Sequence, residues 1–194
     1  DCRSWARAGA GPRPSSGGAA PGVGTRGIIP LGGLGEGGKN MAAYEAEDSI
    51  VIVDAGLAFP RDEHLGVDLV LPDFTYLRER QHMIRGVVLT HGHEDHVGSL
   101  PYLMRECKIP VIVATRLTLG LVKSKLDEHG LLREAELRKV SPGDEPFPLG
   151  PVRIEFVRVA HSIPTQADVV PAPPGAERAP PADYPHATHT APRH

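Results

Sequence analysis

Six residues, His91-Gly92-His93-Glu94-Asp95-His96, constrain this chain more than any other feature. They follow directly on Arg85-Gly86-Val87-Val88-Leu89-Thr90, an apolar, β-branched run that reads as a buried strand. Residues 97–107 come next, with Val97, Leu100, Leu103, Met104 and Cys107 at helical spacing. A polar cluster at a strand end sits on the rim of a sheet, where loops build sites. Side chains repeat every two residues along extended backbone, so His91, His93 and Asp95 share a side. His96 breaks that parity and must reach in through a turn, aided by the backbone freedom of Gly92 and Gly98. This spacing suits two metal ions better than one. Imidazole nitrogens with a carboxylate and no thiolate favour Zn2+, with Mn2+ as the second candidate. The competing readings are a solvated polar loop and a structural zinc site. The latter usually uses Cys, and none is near.

The flanking sequence alternates in the same way. Ile28-Ile29-Pro30-Leu31, Ser49-Ile50-Val51-Ile52-Val53, Pro110-Val111-Ile112-Val113 and Val152–Val159 read as strands. Phe74, Tyr76 and Leu77 follow Pro72-Asp73 as a capped short helix. Thr115 caps a longer helix carrying Leu117, Leu121, Val122 and Leu126 and ending at Gly130. Strands alternating with helices give an α/β layered fold. His161 follows the last strand and is the candidate ligand from outside the motif. Asp54, at the end of the Ile50–Val53 strand, points to the same rim, where it orients a ligand His or holds the motif loop. His64, His82 and His129 read as surface residues. Gly33, Gly35 and Gly38 form a G-x-G-x-x-G, and Asn40 stands where a P-loop has Ser or Thr. Both phosphate motifs need a helix next, but Met41-Ala42-Ala43-Tyr44-Glu45-Ala46 and a strand follow, as in a hairpin. The loop is therefore a tight turn beside the metal site, or a set of backbone donors for a substrate phosphate.

Composition matters at the two ends. Residues 1–26 and 164–194 each hold nine Gly or Pro. The first segment carries Arg3, Arg7, Arg13 and Arg26 against one acid, Asp1, which fits an unstructured lead-in or an organelle transit peptide. In the second, Pro171, Pro173, Pro174, Pro180 and Pro181 disfavour a helix or central strand. This gives three parts: a disordered extension at 1–26, a folded part at 27–164, and an aberrant or disordered tail at 165–194. No apolar run is long enough to span a bilayer, so no membrane role is expected. The net charge of −3 gives no basic footprint for nucleic acid, and two cysteines suit a reducing compartment.

With those residues in hand, the chain resembles the ribonuclease J family, β-CASP members of the metallo-β-lactamase fold. The likeness rests on Leu31-Gly-Gly-Leu-Gly-Glu36, Gly38-Lys39-Asn40-Met41, Val53-Asp54-Ala55-Gly56, Gly66-Val-Asp-Leu-Val-Leu-Pro-Asp73, Leu89-Thr90-His91-Gly-His-Glu-Asp-His96 and His161-Ser162-Ile163-Pro164. It implies the N-terminal part of a four-layer αβ/βα sandwich with two Zn2+ ions at its rim. His91, His93 and His161 would hold one metal, and Asp95 and His96 the other. It implies a cytoplasmic RNA hydrolase, homo-oligomeric when full length, that cuts endonucleolytically and from the 5′ end. The chemistry implied is attack on phosphorus by a hydroxide made available at the dinuclear site, with Asp95 and His96 as catalytic residues.

After Pro164 the likeness stops. Asp183 lies at about the distance of the family's bridging carboxylate, but its flanks do not resemble a strand end. A shifted reading frame near residue 164 would produce such a change. The expectation is a chain inactive by itself, with an apolar sheet face left uncovered and poor stability. The alternatives are an ester, thioester or lactone hydrolase on the same fold, and a non-catalytic zinc-binding fragment.

Overall fold

The computed structural model describes residues 26–35, 37–60, 66–158 and 167–172. β1 (Arg26–Gly32), β2 (Met41–Ala46) and β3 (Ser49–Val53) form an antiparallel meander. β3 then runs parallel to β4 (Ile84–Val88), β4 to β5 (Val111–Thr115), and β5 to β6 (Glu136–Val140), giving six strands in sequence order. The helices lie in the crossovers: α1 (Thr75–Glu79), α2 (Glu94–Val97), α3 (Leu100–Glu106) and α4 (Arg116–Glu128). A second sheet of β7 (Phe147–Leu149), β8 (Val152–Arg158) and β9 (Ala167–Ala172) is antiparallel with β8 in the middle.

The period of two in the strands sorts their side chains into two cores. Ile50, Ile52, Val87, Ile112 and Ala114 pack with Leu77, Leu100, Leu103, Val122 and Leu126 of the helices. Val51, Val88, Val111 and Val113 face Val152, Ile154 and Phe156 of the second sheet. This corrects the expectation of an uncovered inner face. Alternation along β8 supplies an apolar side that covers it, while Arg153 is exposed.

Other departures have local causes. β9 falls in the Pro-rich tail, with Pro171 opposite Ile154, because an edge strand tolerates a missing donor. The helix expected at 97–107 is two pieces, and the first begins inside the motif at Glu94. Acidic Glu94 and Asp95 in a first turn favour that start. Leu117 and Leu121 are half exposed, and Thr118 and Leu119 are buried in their place. Thr115 makes no side-chain cap bond; its hydroxyl meets that of Thr118 at 3.1 Å.

Two titratable groups report on packing. Burial, then Glu106, push the Cys107 thiol up against the opposing pull of Arg78, so it stays protonated and unreactive. The Tyr76 hydroxyl donates to Glu45 Oε2 across α1 and β2. Burial, this bond and the Glu45 charge push Tyr76 up to about 12, with Arg80 opposing. Among the described residues no helix is long and apolar enough to cross a membrane.

Candidate metal centre

Parallel strands β3, β4 and β5 end on one rim, and the site is built there. β3 ends at Asp54, whose φ of 61° turns the chain sharply and whose amide donates to Val88 O at 2.9 Å. Its buried carboxylate accepts from the Thr90 amide at 2.9 Å and from the Thr90 hydroxyl at 2.9 and 3.0 Å. It also accepts from His96 Nδ1 at 2.7 Å. Thr90 Oγ1 in turn lies 2.9 Å from His91 Nδ1. The Thr90 hydroxyl has one proton, and Asp54 can only accept, so His91 Nδ1 is the donor in that pair. Two imidazoles are therefore fixed with hydrogen on Nδ1 and a lone pair on Nε2, which is how outer groups orient metal-binding histidines. The Asp54 charge is also felt by Tyr44 on β2, whose hydroxyl is pushed up by burial first and by Asp54 second.

Backbone bonds hold the motif loop to a distant segment. The three carbonyls of Glu94, Asp95 and His96 accept from the amides of Leu57 at 3.1 Å, Asn40 at 3.0 Å and Ala55 at 2.7 Å. Gly56 donates to Asn40 O at 3.0 Å, closing the clamp. Asn40 Nδ2 reaches further, to Asp95 O and Asp95 Oδ2, both at 3.1 Å, and to His96 Nε2 at 3.2 Å. The glycine cluster is thus a turn beside the site. Its Lys39 and Asn40 amides are spent on Leu57 O and Asp95 O, which removes them as donors for a substrate phosphate. Gly92 and Gly98 serve space, not a left-handed φ: a Cβ at Gly92 would lie 2.4 Å from Leu121 Cδ1, and one at Gly98 2.4 Å from Leu57 Cγ. On the outer side, Lys125 of α4 pairs with Glu94 at 2.8 Å.

The donors come together in two pairs. His91 Nε2 and His93 Nδ1 are 3.0 Å apart, and Asp95 Oδ2 and His96 Nε2 are 3.5 Å apart. Two ligands about 2.0–2.1 Å from a tetrahedral metal stand roughly 3.3 Å from each other, so both pairs have a metal-compatible bite. Among the described residues, no three such side chains form a ready-made set. Asp95 and His96 both sit in the α2 turn, not on the extended arm with His91 and His93. His161 and Asp183 lie outside the described residues, as does His64. His82 is exposed, and His129 ends α4 beside Tyr102 and Arg105. Thr90 and Asn40 are the participants that sequence reading missed. Thr90 had a signal, its place between strand and first His, whereas the Asn40 contact spans 55 residues of sequence.

Asn40→Ala removes the side-chain bonds to Asp95 and His96 while keeping the backbone clamp. At about 1 kcal/mol per bond, partly offset by water, a stability loss of about 1–2 kcal/mol is expected in urea titration. No change in midpoint would show that the amide bears no load.

A sheet whose rim carries a His-x-His-x-Asp-His turn, backed by a second sheet, defines a class of metal-dependent enzymes. The family model described as the metallo-beta-lactamase superfamily matches residues 34–176, and the chain belongs to that superfamily. Within it the chain is similar to ribonuclease J. It is 50% identical over 137 residues to the Synechocystis protein of that name, covering 70% of this chain and 21% of that one. It is 46% identical over 149 residues to the Thermus thermophilus protein, covering 74% and 26%. The chain therefore spans about a fifth to a quarter of the length of these curated relatives. Among solved structures, the metallo-beta-lactamase fold protein YhfI of Bacillus subtilis matches with a TM-score of 0.49 at 16% identity, over 75% of this chain and 57% of that one.

Proposed function

We propose that this chain carries the metal-binding part of a ribonuclease J-like enzyme that hydrolyses RNA phosphodiesters. The observation that carries the reading is the orientation of the donors. Asp54 and Thr90 hold the Nδ1 protons of His96 and His91, which turns both Nε2 lone pairs into the site. We assign His91 and His93 to one divalent metal, with His161 as the further ligand, and Asp95 and His96 to a second. Zn2+ is the favoured ion and Mn2+ the second. Bound metal would supply Lewis acidity toward phosphate oxygens and lower the pKa of the attacking water. Asp95 would bind the metal through Oδ2 and would accept the proton from that water on its other oxygen, Oδ1. His96, held by Asp54, keeps its proton on Nδ1 throughout and stays a neutral ligand. Thr90 keeps His91 in the matching tautomer. Both endonucleolytic and 5′-end cutting, the cytoplasm as location, and self-association of the whole protein belong to this proposal. So does Asp183 as an added metal ligand from the tail beyond β9.

The test offers the metal-loaded chain 5′-monophosphorylated RNA, a thioester and a lactone in parallel. The chain alone is expected to take up metal and stay inactive, and RNA cleavage that EDTA abolishes is the expected result once it is joined to the remaining length of a ribonuclease J. Ester hydrolysis without RNA cleavage would overturn it in favour of a small-molecule hydrolase. Metal uptake with neither activity even in the joined, full-length setting would make it a non-catalytic zinc-binding unit.

A further inference from the structure

Beyond the metal centre, α4 and β6 enclose a groove of about 310 Å3 lined by Arg116, Leu119, Gly120, Lys123, Leu137 and Lys139. Three cations and no acid line it. All three cations are exposed, and among the described residues none makes an ion pair, although Asp127 lies one turn beyond Lys123. Unpaired like charges around one groove repel one another, and an anion relieves that repulsion. Arg116 also opens α4, a 13-residue helix, so the positive end of the helix dipole adds to the same place.

Gly120 is the second, independent observation. A glycine inside a helix is destabilising relative to alanine. Here a Cβ would meet nothing within 4 Å, so packing inside the protein does not require it. Its absence leaves bare helix backbone between Arg116 and Lys123, where a bulky chain can lie close.

The groove shares the rim of the metal centre. Lys139 pairs with Ala114 near the end of β5, and Arg116 follows Thr115 directly. β6 is two strand spacings, roughly 10 Å, from β4, which delivers the His motif. The other flank of α4 touches that motif through Leu121 and Lys125.

We propose that this groove is a track for the phosphate backbone of single-stranded RNA, carrying the strand over the first turns of α4 to or from the metal centre. It rests on the RNA reading above and extends it to a surface outside the metal site. No aromatic side chain lines the groove, so bases do not stack there and the track reads charge, not sequence.

The experiment measures binding of fluorescently labelled oligo-A and oligo-U to the chain in EDTA, across a salt series, so that catalysis plays no part. The variant Arg116→Gln/Lys123→Gln/Lys139→Gln is compared with a control of equal charge change, Lys108→Gln/Arg133→Gln/Arg153→Gln. Three lost phosphate contacts flatten the log–log salt slope by about 2, or about a hundredfold weaker binding at 0.1 M salt, for both oligomers alike. Gly120→Ala is expected to raise the melting temperature and still weaken binding. Equal slopes for the groove and control variants would overturn the track while leaving the hydrolase reading to its own cleavage test. Polyglutamate binding as tightly as RNA would also overturn it, in favour of an acidic protein partner.

Discussion

Replacing Gly56 by alanine is expected to abolish cooperative unfolding and metal uptake together. Gly56 lies where the segment after β3 crosses the motif loop. A Cβ there would lie 1.7 Å from Asp95 O, 2.3 Å from its carbonyl carbon and 2.7 Å from Asn40 N. All three contacts are backbone, so no side chain can swing aside. The crossing must open, and with it go the bonds of Ala55, Leu57 and Asn40 to the three carbonyls of the α2 turn. Each buried backbone group left without a partner costs about 1–3 kcal/mol. Losing several of these approaches the roughly 5–15 kcal/mol that holds a domain together. Gly37 is the control: a Cβ there meets nothing within 4 Å, and its alanine variant should melt with the wild type. A Gly56→Ala protein that unfolds at the wild-type midpoint and takes up metal normally would refute the clamp.

The parts of this architecture that were legible are those where one residue type answers to one environment. Ile50 to Ile52 and Val87 to Val88 are β-branched because strands buried on both faces demand it. Asp54 and the His motif were legible because polar groups directly after such strands have little other reason to be there. β6 escaped because Glu136, Arg138 and Lys139 give an edge strand no apolar signature. The start of α2 escaped because Glu94 and Asp95 serve helix initiation and site chemistry at once. Leu117 and Leu121 fit the helical period yet lie toward the exposed side of α4, since period fixes a stripe and not which stripe is covered. Asn40 was beyond reach for another reason. Its partners are fixed by a crossing of two loops, which no local pattern encodes.

Asp54 separates fold from function most sharply, because two substitutions at one atom position should have different results. Asp54→Ala removes the acceptor for the Thr90 amide, the Thr90 hydroxyl and His96 Nδ1, all in a buried setting. It also places alanine at a φ of 61°, a conformation that costs most residues about 1–2 kcal/mol. Together these predict a loss of about 3–5 kcal/mol in denaturant titration. Asp54→Asn behaves otherwise. Asparagine tolerates the left-handed backbone, and its oxygen can still serve Thr90. Its amide nitrogen then faces His96 Nδ1, where donor meets donor. Relief comes from moving the His96 proton to Nε2, the atom aimed at the site, with Asn40 Nδ2 giving up His96 and keeping its two Asp95 acceptors. The folded state should survive with a loss of about 1–2 kcal/mol, while affinity for Zn2+ falls about 10–100-fold. Nitrogen-15 NMR of the histidine rings reads the tautomer directly, without metal and without activity. A His96 that keeps its proton on Nδ1 in Asp54→Asn, with unchanged zinc affinity, would show that Asp54 shapes the loop and does not set the ligand.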